Sequence, residues 1–369
     1  MTKELTKSIG SMLMFGFPGT NVQDKTIQQF LSYTREGLIG NTILFRRNIK
    51  NPDQIKSLTT AFFKADPSHI IAVDQEGGKV ERLTDKTGFQ STESAKFIAT
   101  QYSEDEAEAI YLNMAKMLKE NGINMNLGPV VDLDNKIAPC PAIGTLQRSY
   151  SDNSDEVVKY ASSFIKAHRK AGVLTSLKHF PGHGHAIGDT HHGMVDATKT
   201  WNDVELTPFA ELIRKKLVDS IMTAHIINRN IDDKYPSTLS QKVLNDMLRK
   251  DLNYSGVVIT DDMQMGAIQE EYNLKESVIN AIKAGCDILI FSNNNPMSKG
   301  VIDAQTGQNT EILTPEVIID IILEALKNGD INADRILESE ERIIQMKNQL
   351  NNAINLFHKD TFEDFHKEL

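Results

Sequence analysis

Residues 173–196 read VLTSLKHFPGHGHAIGDTHHGMVD, an apolar run that breaks into a loop dense in reactive side chains. Val173 to Leu177 suits a buried strand, while the glycines and Pro181 that follow suit a loop better than a helix. The part from Lys178 to Asp196 holds five of the ten histidines, one lysine and two aspartates. Reactive groups on a loop carried by a buried strand are a common plan for an enzyme site. The plainer alternative is a polar surface loop with scattered histidines.

Working outward, seven more apolar runs of strand length recur. They are SMLMFGF (11–17), NTILF (41–45), HIIAVD (69–74), INMNLGPVVD (123–132), SIMTAHI (220–226), GVVITDD (256–262) and DILIFS (287–292). Their continuous apolar character suits parallel strands covered on both faces. Helical patterns lie between most of them. Ser103 with Glu106 forms a capping box before AEAIYLNMAKMLKENG. Thr207-Pro208 and Thr314-Pro315 each place a cap before a first-turn proline. Gly122, Gly172 and Gly285 stand where helices should stop. Eight strand–helix alternations predict an α/β fold, a single-domain (β/α)8 TIM-type barrel over residues 1–350, with a C-terminal helical tail over 351–369. A doubly wound open sheet is the alternative, because periodicity does not see closure. Residues 293–313 read as a loop, and ADRILESEERIIQMKNQL as one long amphipathic helix.

A chain of 369 residues with 40% hydrophobic content can bury a large core. The net charge of −10 argues against a nucleic-acid partner. No apolar run is long enough to cross a bilayer. Two cysteines, Cys140 and Cys286, do not make a disulfide framework and fit a reducing cytoplasm. The segment MTKELTKSIGSMLMFGFPG imitates a leader peptide but lacks a small-residue cleavage site, so Ile9 to Phe15 reads as a first strand. A periplasmic or secreted home would require a leader that is already gone.

In a barrel of this type, active groups cluster at the C-terminal ends of the strands. Asp74 ends the third run and Asp132 follows the fourth. Lys178 and His179 end the fifth, His225 lies in the sixth, and Asp261 ends the seventh. Taken singly, each aspartate is as well read as a helix cap and each histidine as a satisfied core residue. Five on one rim are harder to explain that way. Asp261 suits a nucleophile or base. Asp189 and His191, two apart in the loop, suit a general acid/base in which the aspartate orients the imidazole. Retaining glycoside hydrolysis needs such a nucleophile and a proton donor. Lys178, His179, Arg82 and Arg148 suit hydroxyl or carboxylate groups, and Gly182, Gly184 and Gly188 suggest a loop free to swing. Spacing alone does not fix a sugar as the substrate.

The chain resembles the family 3 glycoside hydrolases, specifically the bacterial β-N-acetylhexosaminidases of cell-wall recycling. The resemblance is carried by DQEGGKVERL (74–83), NMNLGPVVD (124–132), KHFPGHG followed by DTH (178–191), MTAHI (222–226) and STLS (237–240). It continues through GVVITDDMQM (256–265), AGCDILI (284–290) and RILESEERI (335–343). It implies that Asp261 is the nucleophile of a covalent glycosyl-enzyme, with His191 as acid/base and Asp189 as its dyad partner. It implies sugar binding by Asp74, Arg82, Arg148, Lys178 and His179, with no metal or organic cofactor. The expected partner is a small N-acetylglucosamine-containing oligosaccharide or muropeptide. Within the family the D-x-H loop marks N-acetylglucosaminidases, whereas β-glucosidases take their acid from a second domain. Departures are Thr190 for serine, Lys79 for arginine, and two extra residues in AIGTLQRSYS before Arg148. His185 and His192 have no family role and read as loop surface. Rival readings are a β-glucosidase, a phosphorylase with phosphate as acceptor, a Schiff-base barrel enzyme using Lys178, and a metal hydrolase using His179, His183, His185 and His191.

Overall fold

Each of the eight apolar runs supplies one barrel strand. The strands are β1 (Leu13–Phe15), β2 (Asn41–Leu44), β3 (Ile70–Val73), β4 (Met125–Asn126) and β5 (Leu174–Phe180). After them come β6 (Val195–Asp196), β7 (Ser220–Thr223), β8 (Ile226–Ile227), β9 (Val257–Asp262) and β10 (Ile288–Phe291). This computed structural model describes residues 3–190, 193–294 and 312–365, with side chains through residue 350. Among the described residues, β1-β2-β3-β4-β5-β7-β9-β10 close on β1, parallel at every seam. Closure settles the choice between barrel and open sheet. β6 and β8 pair separately as a short parallel ribbon above β7.

Helical segments Lys25–Glu36, Pro52–Ala65, Glu104–Glu120, Ser154–Ala171, Thr207–Arg214, Lys242–Asp251 and Leu274–Ala284 connect successive barrel strands. Their signals are largely those of the sequence. Ser103 Oγ accepts the Glu106 N–H while Glu106 accepts the Ser103 N–H at 2.8 Å, a reciprocal cap worth about 1 kcal/mol. Gly172 ends Ser154–Ala171 at φ 72°, a left-handed conformation costly for any residue with a Cβ. Among the described residues, no helix is long and apolar enough to cross a membrane.

Three expectations need correction. Ile9–Ser11 belong to a helix, Lys3–Ser11, and the strand starts only at Leu13. The buried Ile9 lies one turn after Leu5, a helical spacing hidden by the apolar run that follows. Thr207 lies inside its helix rather than capping it, because a tight turn at Asp203–Leu206 runs directly into it. The run 123–132 gives a strand of only two residues. Pro129 has no N–H for the ladder, and pairing resumes as a single Val130–Lys178 bridge. The expected loop at 293–313 lies mostly outside the described residues.

The end of the barrel opposite the expected site is tied by Asp287, just before β10. This fully buried carboxylate accepts from Arg249 (2.8 Å), Arg335 (2.8 Å) and Arg342 (3.0 Å). Arg335 and Arg342 belong to the last helix, Ala333–Phe365, which Asp287 thereby clamps beneath the barrel.

Candidate active site

Two β-bulges build the site. Leu177 stands opposite Ile221 but Phe180 opposite Thr223, so three steps along β5 match two along β7. Lys178 and His179 occupy that irregularity, joined by a cis peptide. Ile259 stands opposite Ile288 but Asp262 opposite Ile290, the same mismatch between β9 and β10, and it holds Thr260 and Asp261. A bulge re-aims the side chains it carries and often lies beside an active site.

A cleft of about 880 Å³ opens at the C-terminal ends of the strands. Asp74, Arg82, Asp261 and Asp262 line it, with Met222 and Ile290 at its floor. Arg82 donates to Asp74 at 3.0 Å, and Lys178 donates to the other Asp74 oxygen at 2.8 Å. Burial alone would raise the Asp74 carboxyl. The Lys178 ammonium and the Arg82 guanidinium overcome this and hold it far below the usual range, so it is a fixed anion.

Lys178 also contacts Glu76 at 2.6 Å. Arg148 grips both Glu76 oxygens at 2.8 Å, the two-pronged geometry that suits guanidinium to carboxylate. Burial again works against ionisation of Glu76, but Arg148 and then Lys178 bring its pKa down to about 2. Burial disfavours the Lys178 charge, yet Asp74 and Glu76 raise its pKa above the ordinary lysine value. An ammonium held so between two carboxylates has no free lone pair, which opposes a Schiff-base role. Arg148 reaches to 3.4 Å from His179 Nε2, and His179 Nδ1 lies 2.7 Å from Asp132. The buried Asp132 also accepts the His179 and His183 backbone N–H groups. One network thus runs from the cleft into the barrel: Arg82, Asp74, Lys178, Glu76, Arg148, His179 and Asp132.

The loop after β5 is anchored along its first half. A Cβ on Gly184 would lie 1.7 Å from the Leu133 carbonyl oxygen, so only glycine fits there. Gly184 N–H donates to Glu205 at 2.9 Å, and His185 Nδ1 lies 3.0 Å from the other Glu205 oxygen. Glu205 raises the His185 pKa. His185 is therefore half-buried beside the Glu205 carboxyl, not loop surface. His183 is buried against Cys140 Sγ at 3.5 Å, and burial brings its pKa down to about 4, leaving it neutral at pH 7. Gly182 and Gly184 serve close packing rather than swing, since a Cβ on Gly182 would meet the Glu205 side chain at 2.5 Å. Asp189 is described and half-buried. His191 and His192 lie outside the described residues.

Residues 5–346 match the family described as Glycosyl hydrolase family 3 N terminal domain. The chain belongs to glycosyl hydrolase family 3. It is similar to Beta-hexosaminidase of Photobacterium profundum, 35% identical over 74% of this chain and 81% of that protein. Beta-hexosaminidase A of Pseudoalteromonas piscicida is 33% identical over 85% of this chain and 54% of its own length. Among solved structures, a family 3 β-N-acetylglucosaminidase from Paenibacillus sp. str. FPU-7 superposes with a TM-score of 0.82 at 29% identity. That match covers 95% of this chain and 63% of that one. The chain therefore spans just over half of the Pseudoalteromonas relative and under two thirds of the Paenibacillus structure.

In this family 3 chain, the residues singled out from sequence fall into two groups. Asp74, Arg82 and Asp261 line the cleft. Arg148, Lys178 and His179 are not among the lining side chains. They stand behind Asp74 as its charged support. The two extra residues before Arg148 do not displace it from the network. His225 is buried, with Nδ1 2.7 Å from Thr238 Oγ1 and Nε2 2.9 Å from the Asp262 carbonyl. Glu76 and Glu205 escaped the sequence reading, and Asp132, expected at the rim, instead holds His179 and the backbone of His183. The signal for Glu76 was present in DQEGG, as a second acid two residues after Asp74. Among the described residues, no group of three or more His, Cys, Asp or Glu side chains is arranged to hold a metal ion.

Proposed function

We propose that this chain is a retaining exo-β-N-acetylglucosaminidase that removes terminal β-linked N-acetylglucosamine from peptidoglycan fragments. The observation that carries the reading is Asp261, a carboxylate set on a bulge at a strand end, in one cleft with Asp74 and Arg82. Asp261 attacks the anomeric carbon as the bond to the leaving oxygen breaks, and His191 gives that oxygen its proton. A glycosyl ester of Asp261 results. Neutral His191 then takes a proton from water, the water oxygen attacks the same carbon, and Asp261 leaves as carboxylate. Asp189 orients the imidazole and stabilises its charged form. Asp74, fixed as an anion, accepts from sugar hydroxyls, with Arg82 beside it. Arg148, Lys178 and His179 hold this charge pattern in place.

The hexosaminide substrate is supported by the names of the relatives, and the peptidoglycan source by the resemblance to bacterial cell-wall-recycling enzymes. Two free, buried cysteines suit a reducing cytoplasm. Paired aryl β-glycosides test the substrate. Strong turnover of the N-acetylglucosaminide over the glucoside, abolished in Asp261→Ala, is expected. Preference for the glucoside keeps the family and overturns the substrate.

A further inference from the structure

The residue after the expected nucleophile does more than continue the strand. Asp262 N–H donates to Asp261 Oδ1 at 2.8 Å, which fixes one oxygen of that carboxylate. The Asp262 carboxyl reaches towards β10. Its Oδ1 accepts the Ser292 N–H at 3.0 Å and the Gln264 N–H at 3.1 Å. Its carbonyl is held by His225 Nε2 at 2.9 Å and accepts the Met265 N–H at 3.0 Å. The carboxyl and carbonyl of Asp262 thus tie the end of β9 to the ends of β10 and β7.

The bulge explains why side chains are needed here. The register slip between β9 and β10 removes a regular backbone acceptor, which would leave buried N–H groups unpaired. Thr260 Oγ1 accepts the Ile290 N–H at 3.0 Å, and Asp262 Oδ1 takes the Ser292 N–H two residues on. Thr260 is fully buried. The two side chains flanking Asp261 therefore restore the seam that the bulge breaks, and Asp261 between them faces the cleft.

We infer that Asp262 and Thr260 are positioning residues, which hold the β9 bulge in the one shape that presents the Asp261 carboxylate for attack. This rests on the role given to Asp261 above. Burial raises the Asp262 carboxyl to about 6, while the Ser292 and Gln264 N–H groups that it accepts pull the other way and favour its charged form.

The test compares substitutions that keep the acceptor with ones that delete it. Asp262→Asn and Thr260→Ser retain an acceptor oxygen; Asp262→Ala and Thr260→Val do not. Turnover of 4-nitrophenyl N-acetyl-β-glucosaminide is measured with circular dichroism and urea unfolding as the folding check. For folded Asp262→Ala and Thr260→Val, kcat should fall by about 100-fold, the scale of a misplacement near 1 Å, with KM little changed. The loss should be equal for good and poor aryl leaving groups, since attack and not protonation is impaired. Asp262→Asn and Thr260→Ser should recover roughly tenfold or more of it. Thr260→Val carries the test if Asp262→Ala does not fold. Wild-type kcat in either deletion variant, or Asn and Ser variants no better than Ala and Val, overturns the inference. A wild-type enzyme inactive on this substrate overturns the proposed substrate instead, and wild-type turnover in Asp261→Ala overturns the reading of Asp261.

Discussion

Glu76→Gln probes the network behind the cleft most sharply. The wild-type carboxylate meets Lys178 at 2.6 Å and Arg148 at 2.8 Å through both oxygens. Its pKa is about 2 when folded, against an ordinary 4.5. At about 1.4 kcal/mol for each pH unit of that difference, ionised Glu76 contributes about 3 kcal/mol to stability at pH 7. Breaking a buried pair by removing one partner costs a similar 3–5 kcal/mol, roughly, by analogy with other proteins. Glutamine keeps the shape and one acceptor, so about 3 kcal/mol is expected. The sign with pH follows from the depressed value. The contribution is complete above the unfolded pKa and is lost as pH falls from about 4.5 towards 2. Urea unfolding of wild type and Glu76→Gln at pH 4, 5 and 7 should therefore show a gap that is full at pH 7 and narrows at pH 4. Equal stabilities at pH 7, or a gap that does not change with pH, would refute the reasoning. Loss of Glu76 also leaves Lys178 and Arg148 without their shared anion, so kcat/KM should fall by about tenfold or more.

Asp287→Ala strips the shared partner from three arginines and should cost about 3–5 kcal/mol in urea unfolding. The folded fraction should keep wild-type kcat, because Asp287 lies at the barrel end opposite the cleft. Gly184→Ala drives a methyl into the Leu133 carbonyl and breaks the bond to Glu205. A stability loss of about 1–3 kcal/mol with impaired turnover is expected, and a fully active, equally stable variant would show that the loop base adapts freely. His191→Ala should slow aryl glycosides with poor leaving groups by about 100-fold or more, and activated ones far less. Equal losses on both would remove His191 from the acid role.

The barrel was legible because each strand is a continuous apolar run, and parallel strands covered on both faces produce that pattern. The helix Lys3–Ser11 was not, since Ile9 and Met12 extend the same run and hide the spacing from Leu5. The bulges were also hidden. A register slip depends on which strand lies alongside, and nothing in TDD or LKH announces it. Asp74 and Asp261, which line the cleft, each end a strand run, where chemistry gathers in such a barrel, whereas Arg82 stands eight residues past its run and drew notice only as a charge suited to hydroxyl or carboxylate groups. Glu76 is harder to recognise, because it acts by bridging Lys178 and Arg148, both far away along the chain. His185 looked like surface because its partner, Glu205, stands 20 residues further on. Local pattern thus reveals which side chains reach the rim, whereas the charges that hold them there emerge only from packing.

The central claim is that Asp261 forms a covalent bond to the sugar. Incubation with a slowly turned-over fluorinated N-acetylglucosaminide, acid quenching and peptide mass mapping tests it directly. The account predicts one glycosyl adduct, on the peptide containing Asp261, and none in Asp261→Ala. An adduct on Lys178, or active enzyme that never carries one, would contradict it.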